Sequence, residues 1–157
     1  MPGDAYHIPR PRVWFKKAMR DAILEGHKTA TSRNHRISRR AASSVLAICG
    51  SRFKPVPFAV LRITAVEELK PSEIFGQHYR EEGFNSPEEM VDFAEKERLH
   101  WDERVPMFFH RFQVIQKLTE EEIHEIMYPW GEDKDLYGRD LSTAGSIDNQ
   151  TSKRGQQ

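Results

Sequence analysis

Apolar and polar residues follow helical spacing in the first predicted element of the chain. Between Trp14 and Gly26, apolar side chains recur every fourth position in two rows that begin at Trp14 and Phe15. The charged residues between them fall on the opposite side, and Gly26 is typical of a helix C-terminus. The pattern predicts an amphipathic helix over residues 14–26.

Runs of β-branched and aromatic residues predict the strands. Ser44–Cys49 and Phe58–Val66 are two such runs, joined by an irregular or hairpin connection, and Met107–Ile115 is a third. Thr29–Arg33 is a shorter run with β-branched residues at alternate positions, which also favours extended backbone. We therefore expect a sheet in which Ser44–Cys49 and Phe58–Val66 are neighbouring strands.

Proline, glycine and capping residues delimit the remaining predicted helices. Pro71 opens a helical stretch that runs towards Glu82 and stops at Gly83. Ser86-Pro87-Glu88-Glu89 has the form of a capping box and predicts a helix to about Arg104. Thr119–Glu122 is a second capping box, before a short helix that Pro129 ends. Helices and strands together predict an α+β fold.

Composition limits the class of protein. The chain has 157 residues, of which 38% are hydrophobic and 31% charged, as in a globular domain that buries a core of its own. Cys49 is the only cysteine, so no intramolecular disulfide forms, and we expect a cytoplasmic protein. We also expect no export signal and no membrane span, and we expect the polar, aperiodic residues 131–157 to form a flexible tail.

The net charge of zero hides an asymmetry between the two halves of the chain. Residues 10–54 hold twelve lysines and arginines against two acidic residues, whereas residues 67–135 hold nineteen acidic residues against eight basic ones. A basic face of this kind indicates a polyanion such as RNA, although the two halves also have the charges to pair with each other inside one fold.

Candidate chemistry lies where the first helix leads into the first short strand. In extended backbone, Thr29, Thr31 and Arg33 share one face, and Lys28 is their neighbour. A partly desolvated lysine is able to accept the proton of a hydroxyl and so to activate it as a nucleophile. From spacing alone, a basic turn with two strand-forming threonines explains the same residues.

The segment Gly26-x-Lys28-x-x-Thr31-x-Arg33 resembles the signature of the ASCH domain family. The order of predicted elements from Trp14 to Ile115 is also similar to that family, and Tyr79–Phe84 resembles the segment that brings a glutamate to its cleft. The resemblance implies a PUA-like small β-barrel flanked by helices. It places that domain at residues 13–118, after an N-terminal extension at 1–12 and before a C-terminal helix at 119–130 and the tail at 131–157.

Some members of this family are small amidohydrolases that remove the acetyl group from N4-acetylcytidine. The resemblance implies catalytic roles for Lys28, Thr31 and Glu82, with Glu81 as the alternative carboxylate. A non-catalytic RNA-binding module and a metal-independent ribonuclease remain as alternative functions. The basic Arg36–Arg40 loop and the extension beyond Leu118 favour a longer RNA over a free nucleoside.

We expect RNA or a modified nucleoside as the partner. The residues predicted to contact it are Arg33, Arg36, Arg39, Arg40, Arg52, Lys54 and Tyr79. We expect no metal and no cofactor, because the histidines lack HxH, HExxH or cysteine-paired spacing and the chain has no GxxxxGK[ST] or GxGxxG motif. His110, among aromatic residues, is predicted to be packed and not catalytic. The sequence predicts no particular oligomeric state.

Overall fold

The computed structural model describes residues 11–37, 43–51 and 53–128. The chain divides into two compact units, one formed by Pro9–Lys117 and the other by Met1–Ile8 together with Leu118–Gln157. The predicted tail at residues 131–157 lies outside the described residues, as do Arg39, Arg40 and Arg52. The predicted α+β class is confirmed.

The described residues form five strands and four helices. In chain order they are β1 (Arg12–Trp14), α1 (Lys17–Leu24), β2 (Ala30–Arg33), β3 (Ser44–Gly50), β4 (Pro55–Leu69), α2 (Pro71–Gln77), α3 (Pro87–Lys96), β5 (Met107–Lys117) and α4 (Glu120–Met127).

The five strands form one sheet in the order β1-β3-β4-β5-β2. β1 pairs in parallel with β3, and the other three pairings are antiparallel. The register shifts once between β3 and β4 and twice between β4 and β5. Such irregularities bend and twist a strand, and the long β4 thereby curls the sheet into the half-barrel of a PUA-like fold. β2, which carries the candidate motif, is the edge strand beyond β5.

The first helix begins three residues later than its apolar pattern predicts. Trp14 ends β1 instead, and the backbone N–H of Phe15 donates to the carbonyl of Ile48, 2.8 Å away. Val13 and Phe15 are buried and Trp14 is exposed, so burial alternates as in a strand. The prediction of a helix from Trp14 was wrong because two periodicities overlap at the junction of β1 and α1.

Two other predicted helices are shorter in the structure. α2 ends at Gln77, and residues 79–83 form turns that end at Gly83, whose φ is +101°. Ser86 caps α3 as predicted, but the helix ends at Lys96, well before Arg104. Arg98 follows with a left-handed φ of 53°, and a residue in that conformation ends a helix.

The second unit contributes one helix to the described residues. Thr119 and Glu122 cap α4 reciprocally, each side chain bonding the backbone N–H of the other residue. The predicted capping box and short helix are confirmed, and α4 ends at Met127, before Pro129.

Two apolar clusters hold the sheet and fix the position of β2. The first packs Ile23 of α1 against inward residues of the curled sheet, such as Val45, Leu61 and Phe112. The second packs Ile74 of α2 and Met90 of α3 against Ala30 of β2 and Phe109 of β5, joined by Phe84. Ala30 of β2 belongs to this second cluster, which therefore holds β2 against α2, α3 and β5.

Candidate active site

Lys28 is a buried cation at the start of the edge strand. Gly26, with φ +85°, ends the turn after α1, and the backbone N–H groups of His27 and Lys28 both donate to the carbonyl of Ala22. The Lys28 side chain, only 4% exposed, donates to the carbonyl of Ala30 at 2.8 Å, the carbonyl of Glu82 at 2.9 Å and Oε2 of Glu82 at 3.0 Å. These three acceptors match the three N–H bonds of an ammonium group.

Burial and the neighbouring Glu82 carboxylate shift the pKa of Lys28 in opposite directions. Burial lowers the pKa of the Lys28 ammonium, the Glu82 carboxylate raises it, and the Arg33 guanidinium lowers it further. The net effect is a pKa below the ordinary value of 10.5. The neutral amine is therefore more accessible here than on a surface lysine.

The turn after α2 delivers Glu82 to the same place. The carbonyl of Glu81 accepts from the N–H groups of Thr29 at 2.8 Å and Ala30 at 2.9 Å, so this turn is bonded to the start of β2. Glu82 is 5% exposed, and its carboxylate bonds to Lys28 through Oε2 and to the hydroxyl of Ser32 through Oε1. Gly83 permits the approach, because a Cβ there would lie 3.1 Å from Cβ of Lys28.

Glu81 points away from the lysine. Its carboxylate accepts from Nε of Arg111 at 2.8 Å and lies 2.8 Å from Nδ1 of His78. Burial on its own raises the Glu81 pKa, but the hydrogen bonds from Arg111 and His78 outweigh it and lower the pKa overall. Of the two candidate glutamates, Glu82 is therefore the one beside Lys28.

Thr31 and Arg33 lie on the opposite face of β2 from Ser32. Thr31 is 4% exposed and stands in register with His110 of β5, whereas Ser32 stands opposite Phe109. Arg33 donates to the carbonyl of Trp14 at 2.7 Å, and its guanidinium lies 5.1 Å from the ring centre of Phe15. Thr29 precedes the strand and is exposed, so the predicted shared face reduces to Thr31 and Arg33.

A pocket of about 500 Å³ brings both faces of the β2 edge together. Its polar lining includes Lys28, Thr31, Ser32, Arg33, Asn34 and Glu82. Its aromatic lining comprises Trp14, Phe15, Phe75, Phe84, Phe93 and Trp101. A pocket that combines aromatic walls with a cluster of polar groups is suited to bind a planar organic ligand.

Arg36, Lys54 and Tyr79 were also predicted to contact a ligand, and none of the three lines this pocket. Arg36 is exposed, with its guanidinium 5.7 Å from the ring centre of Phe108, and Lys54 is exposed at the β3–β4 turn. Tyr79 is half-buried and packs against the second apolar cluster, and it is not part of the pocket lining. Its role in ligand contact stays a prediction.

Ser32 and most of the aromatic lining were missed from the sequence. Ser32 directly follows Thr31, the predicted nucleophile. The sequence does not show which of the two hydroxyl groups lies beside the glutamate. Trp14 was assigned to the first helix, and Phe93 and Trp101 both fall within the helix predicted from the Ser86 capping box to about Arg104. Trp101 instead lies beyond the end of α3, with its ring centre 4.7 Å from that of Phe75.

His110 is fully buried beside the site. Its Nε2 accepts from the backbone N–H of Ile37 at 3.0 Å, and Nδ1 has no hydrogen-bond partner among the described residues. Burial lowers the pKa of His110 and outweighs the backbone groups of Thr31 and Phe108, which raise it; the charges of Arg33 and Arg36 lower it further. A neutral, packed histidine follows, which ties the segment after β2 to β5.

Within residues 11–37, 43–51 and 53–128, no group of three or more histidine, cysteine or carboxylate side chains is arranged to hold a metal ion. No helix in these ranges is long and apolar enough to cross a membrane.

Two solved bacterial structures illustrate the fold that this chain shares. Protein EF3133 from Enterococcus faecalis V583, described by the family model DUF984, has a TM-score of 0.52 at 19% identity and covers 71% of this chain and 80% of its own. The ASCH protein from Zymomonas mobilis has a TM-score of 0.52 at 11% identity and covers 76% of this chain and 80% of its own. This chain has the ASCH fold.

The resemblance of the GxKxxTxR segment to the ASCH signature thus agrees with the fold. No family model matches the chain, and no curated protein matches it. At these identities the likeness establishes the ASCH fold alone, so the function is argued from the site.

Proposed function

We propose that this ASCH domain is an amidohydrolase that removes the acetyl group from N4-acetylcytidine. Thr31 is the nucleophile, Lys28 accepts its proton, and Glu82 protonates the leaving amine. The observation that carries the proposal is the buried Lys28–Glu82 pair lining an aromatic pocket that Thr31 also lines.

The lysine must lose a proton before it is able to act as a base. In the arrangement of the structure its three N–H bonds are all directed at acceptors, which is the pattern of an ammonium donor. Glu82 Oε2 is the acceptor that is able to take a proton, and the distance of 3.0 Å suits that transfer. Burial, which lowers the Lys28 pKa, makes the neutral pair accessible.

The proposed reaction then balances as two displacements. The Thr31 oxygen attacks the acetyl carbonyl carbon while its proton passes to the neutral amine of Lys28. The bond from carbon to N4 breaks, and the N4 amine leaves with the proton held by Glu82. Water hydrolyses the resulting threonine ester to acetate, with proton transfers through the same pair.

The walls of the pocket support a pyrimidine substrate. Trp14, Phe75 and Trp101 offer aromatic surface for stacking, while Asn34 and Arg33 offer hydrogen-bond donors. In the proposed complex, a ring between these aromatic side chains presents its exocyclic amide to the polar lining, which includes Lys28 and Glu82.

The test is deacetylation of N4-acetylcytidine, as the free nucleoside and within RNA, followed by chromatography. The parent protein yields cytidine and acetate, Thr31→Ala yields neither, and Thr31→Ser keeps partial activity because it keeps the hydroxyl. Shortened RNA without cytidine formation would instead favour the metal-independent ribonuclease, and intact substrates with bound RNA would favour the non-catalytic module.

A second proposed property is binding of single-stranded RNA around the pocket. Phe53, at the β3–β4 turn, is 95% exposed, and Lys54 beside it is also exposed. An exposed aromatic ring next to a cation is suited to stack a base and meet its phosphate. Gly50 at the end of β3 lines the pocket, so this turn lies at its margin.

A further inference from the structure

The Glu82 carboxylate is held at both oxygens. Oε2 bonds to Nζ of Lys28 at 3.0 Å, and Oε1 accepts from the hydroxyl of Ser32 at 2.5 Å. All three residues line the pocket, and the lysine and the glutamate are almost fully buried. The rotation of the carboxylate is therefore fixed by two donors that come from the same stretch of chain.

The two hydroxyl groups of β2 occupy different environments. Thr31 and Ser32 are successive strand residues, so their side chains point to opposite faces. The register with β5 confirms this, because Thr31 stands opposite buried His110 and Ser32 opposite Phe109 of the second apolar cluster. The hydroxyl that contacts Glu82 is thus that of Ser32.

We infer that Ser32 is a positioning residue for Glu82, whose hydroxyl holds the carboxylate with Oε2 on Lys28. This inference rests on the proposed deacetylase function and adds to it a residue that governs the proton path. Because the transfer from Lys28 to Glu82 requires a fixed separation, a carboxylate free to rotate spends less time in the productive arrangement. Loss of the Ser32 hydroxyl therefore lowers kcat more than it raises KM.

Ser32→Val and Ser32→Thr form a matched pair for the test. Their side chains have the same shape, both are β-branched and suit a strand, and only threonine keeps the hydroxyl. We expect kcat for N4-acetylcytidine to fall about 10- to 100-fold in Ser32→Val, and Ser32→Thr to recover most of that loss. Equal kcat values in the two variants would overturn the inference.

A second measurement does not depend on turnover. Glu82 raises the pKa of Lys28, so a carboxylate released from Oε1 interacts less with the ammonium, and Lys28 then titrates at lower pH. Carbon-13 NMR of labelled lysine Cε follows this titration in the parent and both variants. We expect a shift to lower pH in Ser32→Val and none in Ser32→Thr.

The two measurements separate the inference from the proposed function. If the parent protein has no deacetylase activity, the proposed function is wrong. The Lys28 titration then still decides whether Ser32 holds Glu82. An unchanged titration in Ser32→Val overturns the positioning role. Turnover that survives in Thr31→Ala and disappears in Ser32→Val also overturns it, because Ser32 is then the nucleophile.

Discussion

Oε2 of Glu82 lies 3.0 Å from Nζ of Lys28, and this buried pair joins two segments that are 54 residues apart in the chain. The lysine is further held by the carbonyls of Ala30 and Glu82. The pair therefore contributes to the closure of the fold and also supplies the chemistry of the proposed site.

Removal of one member of this pair is expected to destabilise the fold. Lys28→Met keeps much of the apolar stem but leaves the Glu82 carboxylate buried without its cation, which costs about 3–5 kcal/mol. Chemical unfolding of the parent and the variant measures this difference. Variants at Lys28 consequently need a folding control before any loss of turnover is assigned to catalysis.

The double variant Lys28→Met/Glu82→Gln supplies that control. With the carboxylate replaced by a neutral amide, no isolated charge stays buried, so the double variant is expected to be more stable than Lys28→Met alone. Equal instability of the two variants would show that the pair does not carry the effect.

Gly83 is expected to tolerate alanine poorly. Its φ is +101°, and an added Cβ would stand 3.1 Å from Cβ of Lys28. A non-glycine residue in that conformation costs about 1–2 kcal/mol, and the contact also displaces the lysine. Gly76→Ala is the matched control, because Gly76 lies inside α2 and an added Cβ there meets nothing within 4 Å. Thermal unfolding should separate the two, with Gly76→Ala neutral or slightly stabilising.

Glu81 is expected to make the stability of the fold depend on pH in the acidic range. Its pKa is lowered in the folded state by Arg111 and His78, although burial opposes this, so between that value and the ordinary 4.5 the unfolded chain binds more protons. The stabilisation by Glu81 is present above pH 4.5 and is lost as the pH falls through the folded-state pKa. Urea unfolding from neutral to acidic pH should show a shallower loss of stability in Glu81→Gln than in the parent.

Salt dependence tests the proposed contact with RNA. If the basic residues of the N-terminal half neutralise phosphates, affinity for single-stranded RNA falls steeply as salt increases, because counterions are released on binding. Charge reversal at Arg36, Arg39 and Arg40 should weaken binding and reduce the salt slope. Affinity that is unchanged in both experiments contradicts a basic RNA-binding face.

Local signals in the sequence were sufficient for much of the fold. β3, β4 and β5 carry continuous β-branched and aromatic runs, and Ser86 and Thr119 cap helices where their side chains predict it. β4 extends beyond its predicted limits at both ends, because its pairing with β3 and β5 continues past the apolar run.

Tertiary contacts decided the features that the sequence did not show. Trp14 belongs to β1 because its backbone pairs with that of β3. The spacing of apolar residues within the segment gives no information about this long-range contact. The choice of Glu82 over Glu81 depends on the turn before Gly83, which is bonded through its backbone to β2. The basic and acidic halves also pair in part, as Lys16–Glu97 and Lys28–Glu82 show.

The most direct test of the proposed site compares two adjacent glutamates that differ in where they point. Glu82→Gln removes the carboxylate beside Lys28, and turnover of N4-acetylcytidine is expected to fall about 10²- to 10⁴-fold, as for loss of a general acid–base group. Glu81→Gln changes the same charge one residue away, at the contact with Arg111, and is expected to keep most of the activity. Equal losses in the two variants, or a larger loss in Glu81→Gln, would contradict a catalytic Lys28–Glu82 pair.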